Sequence, residues 1–447
     1  MKTKREDLIK HYEELKELKD ITPQRRGQLF NSFVARVLNS YNKNFRAISN
    51  NNEGTGEIDV AFIINGTRYI LEAKWEKNKV SEGPIAKIRT RVNQRLAGTI
   101  GVLLSMSGFT SDSLEEMKIG QRLEIILLSK EHFEAMLYGF VDPITIFDNI
   151  LNNAHFIGLP YSPLLELSRP SFHIEDLDWE EKYEHEFEFS KKFKLDKLIA
   201  TNNKGFTYLL RCYSNDELIT QYGDYLYKLN FSDSSLKLVN GIPNLLDFLD
   251  FNNNEKYFLR ENCIGKYSDG KWSFIKLNHY NFGANFLAHS SGRPFIIINK
   301  SNNHSGTPKR EPSELLDIKN MTRITLPEFS FSSCCTEQGT FLSISNKQPE
   351  SIIYEIDING EILNELKTKV WNPKLIYANK EEVLILERNE LKALNLKTNE
   401  VQTILKYNEQ LATAVKNKYS SNIYFSAYKD YLSNASNRTI FKLAQRT

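Results

Sequence analysis

A chain of 447 residues exceeds the size at which one hydrophobic core keeps growing, which implies at least two domains. With 40% hydrophobic and 26% charged residues the composition is that of a globular chain and excludes a disordered one. The formal net charge of +2 conceals +7 over residues 1–100, −12 over 101–190 and +7 over 191–447, so a polyanion meets its most favourable field at the N-terminal block.

No apolar run approaches the roughly 18–20 residues needed to cross a bilayer. The start MKTKREDLIKHYEELKELKD has the pattern of a charged helix, unlike a signal peptide, which places the chain in the cytoplasm. Cys212, Cys263, Cys334 and Cys335 form no CxxC pair and have no His at zinc-like spacing, so they read as ordinary buried thiols.

In chain order, Leu8, Leu15 and Leu18 give the first helix an apolar side that docks on its own domain or pairs with a second copy, as a homodimer would require. Phe30, Phe33, Val34, Val37, Leu38 and Tyr41 recur at three- and four-residue spacing, which predicts a helix with one buried face, followed by a short strand NFRAIS. EIDVAFIINGTRYILEAKW then reads as two strands joined by Asn65-Gly66, the dipeptide suited to a type I′ turn. A helix over 81–98, a strand TIGVLLS, a helix from about Thr110, a strand LEIILLS and further helix to about Asn153 complete the pattern. The order αβββαβαβ predicts an α/β domain over 1–160, with one mixed sheet and helices on both faces.

Ser171–Glu188 holds eight acidic residues against one lysine. We read 161–192 as an acidic linker, either simply solvated or mimicking a polyanion that screens a basic groove. From about Lys194, strands alternate with Asn, Asp and Gly turns near 233, 269, 320, 359, 398 and 436, at spacings of 36, 51, 39, 39 and 38 residues. That period predicts an all-β domain over 193–447, a six-bladed β-propeller closed by FKLDKLIA near residue 195; a β-sandwich or irregular β domain is the alternative.

The chemistry comes from hairpin arithmetic. With a two-residue loop at Asn65-Gly66, Ile64 faces Thr67, every opposed pair sums to 131, and Asp59 faces Glu72. Directly opposed residues hold their Cβ atoms ~4.5–5.5 Å apart, where two carboxylates repel unless a cation lies between them. Hard oxygen ligands suit Mg²⁺. Lys74 shares the face of Glu72, where its amine would orient or help deprotonate a water; Glu57 faces Lys74 and holds it or merely pairs with it.

GTGEIDV, NGTRYILEAKW and GVLLSMSGFT together resemble the Mrr-like branch of the PD-(D/E)XK restriction-endonuclease superfamily, over roughly residues 25–155. Asp59, Glu72, Ala73 and Lys74 occupy its D…ExK motif. The resemblance implies that Asp59 and Glu72 bind Mg²⁺, with Mn²⁺ able to substitute, that the Ala73 carbonyl is a further ligand, and that Lys74 acts on the attacking water. It also implies that the loop SMSGFT lies near the active face. In this family the first helix often reads RGxxFE, its acid joining the metal site; RRGQLFNSF puts Asn31 there, an amide able to bind a metal or hold a water but carrying no charge.

Lys87, Arg91 and Arg95 recur at i, i+4, i+8, with Ile88, Val92 and Leu96 toward the core, and form a basic stripe suited to DNA phosphates or merely to solvent. Arg25 and Arg26, before the first core helix, are similar candidates. No HNH or HxH cluster and no GxxxxGK loop occurs, and Ser107 lacks the GxSxG elbow. The sequence thus predicts a Mg²⁺-dependent endodeoxyribonuclease with a C-terminal domain that binds a protein or ligand trigger, a layout suited to bacterial defence. The alternatives are a catalytically degenerate DNA-binding sensor and a nuclease acting on RNA.

Overall fold

A computed structural model of the chain describes residues 5–18, 21–41, 45–51, 58–117, 123–164 and 186–446, except 202–205, 213, 215, 223–224, 231–235, 240, 252–254, 278–285, 289–292, 300, 303–308, 348–349, 371–372, 418–419 and 430–436. The chain divides into two compact units, Met1–Arg169 with Cys263–Lys276 and Pro170–Asn262 with Leu277–Thr447. The acidic stretch read as a linker lies outside the described residues as far as 185; Phe187–Phe189, at its end, is a strand paired with Val401–Tyr407.

The N-terminal sheet has the order β1 (Ile48–Asn51), β2 (Ile58–Ile64), β3 (Thr67–Lys74), β4 (Thr99–Ser105), β5 (Ile125–Ser129). The first three strands are antiparallel, and β3, β4 and β5 are parallel. The parallel pairs require crossovers, supplied by α3 (Glu82–Asn93) and α4 (Ser111–Glu116). The remaining helices are α1 (Arg5–Glu17), α2 (Pro23–Asn39), α5 (Lys130–Tyr138) and α6 (Pro143–Ile157).

Two apolar layers sandwich this sheet. Val34, Val37 and Leu38 of α2 and Phe133 and Met136 of α5 pack on Leu71, Leu104 and Leu128 on one side. Ile85 and Ile88 of α3, with Met117, pack on Leu103, Ile125 and Leu127 on the other. The mixed sheet with helices on both faces is as the periodicity predicts.

Local boundaries differ from expectation in three places. The strand expected at NFRAIS begins only at Ile48 and runs to Asn51. The helix expected over 81–98 stops at Asn93 with Gln94 as its C-cap, and Leu96, in the connection that the left-handed Gly98 (φ 90°) leads into β4, is 87% exposed rather than in the core. Arg25 and Arg26 lie inside α2 rather than before it, since Thr22 caps that helix and Pro23 starts it.

The first helix docks on its own domain. Leu8, Tyr12 and Leu15 are buried, the Tyr12 hydroxyl donates to Glu134 Oε1 at 2.8 Å, and Arg5 Nη1 donates to the Met136 and Leu137 carbonyls that end α5; Leu18 stays exposed.

His132 is fully buried. The Ser129 N–H donates to its Nδ1 at 3.1 Å, which leaves Nε2–H to donate to the Ser162 carbonyl at 2.9 Å. Burial lowers its pKa to about 4, against which the Ser162 hydrogen bond acts only weakly. The folded state therefore favours neutral imidazole, so this stabilisation is complete above pH ~6.5 and is lost as the pH falls toward 4, by roughly 3 kcal/mol. Urea midpoints between pH 7 and pH 4 should show the loss, and His132→Asn should flatten that slope.

The C-terminal region is a six-bladed β-propeller. Its sheets span residues 206–238, 247–276, 286–325, 332–368, 374–407 and 410–445, with four strands in each except the 374–407 sheet, to which Phe187–Phe189 adds a fifth. The last is completed by Phe193–Thr201, which pairs antiparallel with Asn437–Gln445, as expected of FKLDKLIA. Apolar side chains of neighbouring sheets form the inter-blade cores, for example Leu405 and Tyr407 with Phe425 and Phe441. Five of the six predicted turns join the third and fourth strands of a blade. The one near 436 joins the second and third, because the fourth strand of that blade comes from the start of the domain. Of the four cysteines, all free, Cys263 and Cys334 are buried and Cys212 and Cys335 partly so.

Candidate active site

The β2–β3 hairpin is set by its turn. Asn65 and Gly66 have φ of 47° and 85°, the two left-handed residues a type I′ turn needs. The ladder runs Ile64↔Thr67, Phe62↔Tyr69, Val60↔Leu71, which is the predicted register. Carried one pair further, it sets Asp59 across from Glu72, and Asp59 Oδ2 accepts from the Ala73 N–H at 3.0 Å. Alternation along β3 turns Leu71 to the α2 side and Glu72 and Lys74 to the α3 side.

Glu72 is only 2% exposed, and cations surround it. Lys74 Nζ lies 2.8 Å and Lys87 Nζ 3.7 Å from Oε1, while Arg91 Nη1 donates to Oε2 at 2.9 Å. Burial by itself would lower the Lys74 pKa. The hydrogen bond and charge of Glu72, joined by Asp59 and Glu76, outweigh it and raise the pKa, so the amine is an ammonium at neutral pH.

The close approach of α3 depends on Gly101 of β4. A Cβ there would meet Val92 Cγ2 at 2.9 Å and Ile88 Cγ1 at 3.4 Å. The SMSGFT loop is tied beside the end of β3: the Met106 N–H donates to the Lys74 carbonyl at 2.9 Å, and Phe109 bridges to Val80.

Asn31 is 5% exposed, and its Nδ2 donates to Asn50 Oδ1 at 3.1 Å. Its own Oδ1 is buried and accepts no hydrogen bond among the described residues. The β1–β2 register (Ser49↔Val60, Asn51↔Ile58) puts Asn50 beside Asp59, which brings Asn31 to the acidic end of the hairpin. Asn50, at φ 52°, was not singled out from the sequence; its only signal there is the Asn run that ends β1.

Arg91 and Lys87 converge on Glu72, whereas Arg95 lies past the end of α3. Its Nη1 turns back to the Arg91 carbonyl, and its side chain lines a separate cavity of about 370 Å³ at the N-terminal ends of β4 and β5. Arg25 is exposed near Gln28, and Arg26 Nη2 donates to the Leu18 carbonyl at 2.8 Å. Glu57 lies outside the described residues. Among the described residues no group of three or more His, Cys, Asp or Glu is placed to hold a metal, so the site offers two carboxylates and neutral oxygens.

Residues 24–137 match the Mrr catalytic-domain family, described as restriction endonuclease. The N-terminal unit carries a restriction-endonuclease domain. This supports a nuclease, and the Asp59, Glu72 and Lys74 side chains of the restriction-endonuclease domain lie within the matched span. No curated protein matches the chain. Solved structures similar to it include a luciferin-regenerating enzyme (10% identity, 56% of this chain and 95% of that one, TM-score 0.43). The N-terminal domain of Nup159 (8%, 58% and 98%, TM-score 0.36) and the CNH domain of AfRom2 (10%, 57% and 100%, TM-score 0.35) are also similar. At these scores they bear on neither function nor mechanism.

Proposed function

We propose that the protein is a divalent-metal-dependent endodeoxyribonuclease, with a catalytic domain over 1–160 joined through an acidic linker to a propeller that recognises a trigger. The observation that carries this reading is the meeting of Asp59, Glu72 and Lys74 at one end of the β2–β3 hairpin, within a domain of the restriction-endonuclease family. The donor set fits a hard cation: a nearly inaccessible carboxylate whose charge is met by side-chain cations, and a buried amide oxygen at Asn31 that accepts no hydrogen bond among the described residues. Asp59, Glu72, the Ala73 carbonyl and Asn31 Oδ1 would hold it.

When bound, Mg²⁺ or Mn²⁺ supplies positive charge at the phosphoryl group and makes water more acidic. Lys74, whose Nζ lies 2.8 Å from Glu72 Oε1, donates hydrogen bonds that orient the attacking water and the phosphoryl oxygens. Glu72 anchors that ammonium through Oε1. Lys87 and Arg91 contact backbone phosphates, with Arg25, Arg26 and Arg95 as outlying contacts.

A second reading, a DNA-binding sensor without turnover, is favoured by the uncharged Asn31 where the family often carries an acid. The test is a cleavage panel of linear, circular, methylated and single-stranded DNA, and RNA, with Mg²⁺, Mn²⁺ or EDTA. Cleavage of DNA that EDTA abolishes is expected. EDTA-insensitive cutting contradicts the metal, cutting of RNA alone contradicts the substrate, and DNA binding without cutting establishes the sensor reading. A role in bacterial defence, a cytoplasmic location and a homodimer suited to double-strand cutting complete the proposal.

A further inference from the structure

Glu72 makes one more ion pair than a carboxylate waiting for a metal requires. Lys74, two residues along the same strand, already neutralises Oε1 at 2.8 Å. The helix α3 nevertheless brings Arg91 onto Oε2 at 2.9 Å and Lys87 to within 3.7 Å of Oε1. The Arg91 side chain is only 17% exposed in this arrangement, so its guanidinium is turned inward to the carboxylate. The Lys87 side chain is 58% exposed and needs only a small change of rotamer to face solvent. Both residues sit on one face of a helix held against the sheet by Gly101.

We propose that Glu72 is an internal counter-anion that withholds Arg91 and Lys87 from DNA until a divalent cation takes over the carboxylate. The inference rests on the nuclease reading above and adds a regulation to it. A carboxylate oxygen engaged with a divalent ion has less charge to offer a guanidinium, and the pair of cations freed on α3 faces the acidic end of the hairpin, where the substrate backbone would lie. Metal and DNA then bind with positive coupling carried by side chains of this chain, and the coupling is reciprocal. In the metal-free protein the same ion pairs stabilise a carboxylate that is otherwise nearly sealed from water.

Equilibrium binding of a short duplex DNA, followed by fluorescence anisotropy over a range of salt, tests this on the full chain without any turnover. In EDTA, Glu72→Gln should bind DNA about five- to tenfold more tightly than the wild type, with a salt slope steeper by up to roughly two contacts. Glu76→Gln, which removes the same charge from an exposed neighbour, should change little. The double variant Lys87→Gln/Arg91→Gln keeps Glu72. Its loss of affinity relative to the wild type should be small in EDTA and several-fold larger in Ca²⁺, where most of the gain that Ca²⁺ gives the wild type disappears. Circular dichroism melts establish that each variant is folded.

Equal metal-free affinity and slope for Glu72→Gln and Glu76→Gln overturns the inference and leaves the nuclease reading intact. So does a loss of affinity in EDTA for Lys87→Gln/Arg91→Gln as large as its loss in Ca²⁺. Absence of DNA binding in every variant, with and without Ca²⁺, overturns the nuclease reading itself and this regulation with it.

Discussion

Asp59→Asn, Glu72→Gln and Lys74→Met are each expected to lower the DNA-cleavage rate by on the order of 10²–10³-fold or more, with the fold retained. The three act at one place but in different ways. Asp59 is tied to the Ala73 N–H and Glu72 to Lys74, so the two carboxylates are fixed by the hairpin itself rather than by a mobile loop. Removing either charge removes part of the set that would hold the cation. Lys74→Met leaves both acids in place and removes only the hydrogen bonds and charge of the ammonium. Calorimetric titration with Mn²⁺ should therefore separate them, with weakened metal binding in the first two variants and near wild-type binding in the third. Because they act as a unit, a double variant should be little slower than the worse single one. Wild-type cleavage by any of the three, measured in single turnover with saturating Mg²⁺, would remove that residue from the mechanism.

Phe33→Ala should destabilise the N-terminal domain by about 3–5 kcal/mol. Phe33 is fully buried in the aromatic cluster under α1, α2 and α5, with ring centroids 5.9 Å from Tyr12, 6.1 Å from Phe133 and 5.2 Å from His11. The neighbouring rings are anchored elsewhere: Tyr12 by its hydrogen bond to Glu134, and Phe133 against Phe30. The space left by Phe33 therefore cannot close without breaking other contacts, which puts the cost toward the upper end of the range. Urea unfolding followed by tryptophan fluorescence measures it, since Trp75 packs on Phe30 and Tyr12 in the same cluster. A loss under 1 kcal/mol would mean that the cluster repacks. Asn31 lies two residues away on α2, so weakened metal binding is expected to accompany the loss of stability.

Most of the architecture was legible because its signals are periodic. The buried face of α2, the strand alternation of β2 and the blade turns each repeat a local rule many times, so single exceptions do not hide the pattern. What the periodicity misjudged were ends. Leu96 continues the helical spacing of Ile88 and Val92, but the helix has already ended at Asn93, and Leu96 is left in solvent. The closure of the propeller was legible too: Phe193–Thr201 pairs with Asn437–Gln445, more than two hundred residues later, as FKLDKLIA led one to expect.

The sequence by itself determined the hairpin and therefore the core of the candidate site. Asn65-Gly66 admits one tight turn, that turn admits one register, and the register aligns Asp59 with Glu72 and sets Lys74 on the same face, all within sixteen residues of chain. The tertiary structure alone decided what surrounds those residues. Arg91 and Lys87 read from the sequence as an outward basic stripe, yet the packing of α3 against Gly101 turns them onto Glu72. Asn31 reaches the acidic end only because α2 crosses β1 at Asn50. Turn chemistry is short-range and is written in neighbouring residues, whereas the direction in which a charged side chain on a helix points depends on how closely two distant elements pack.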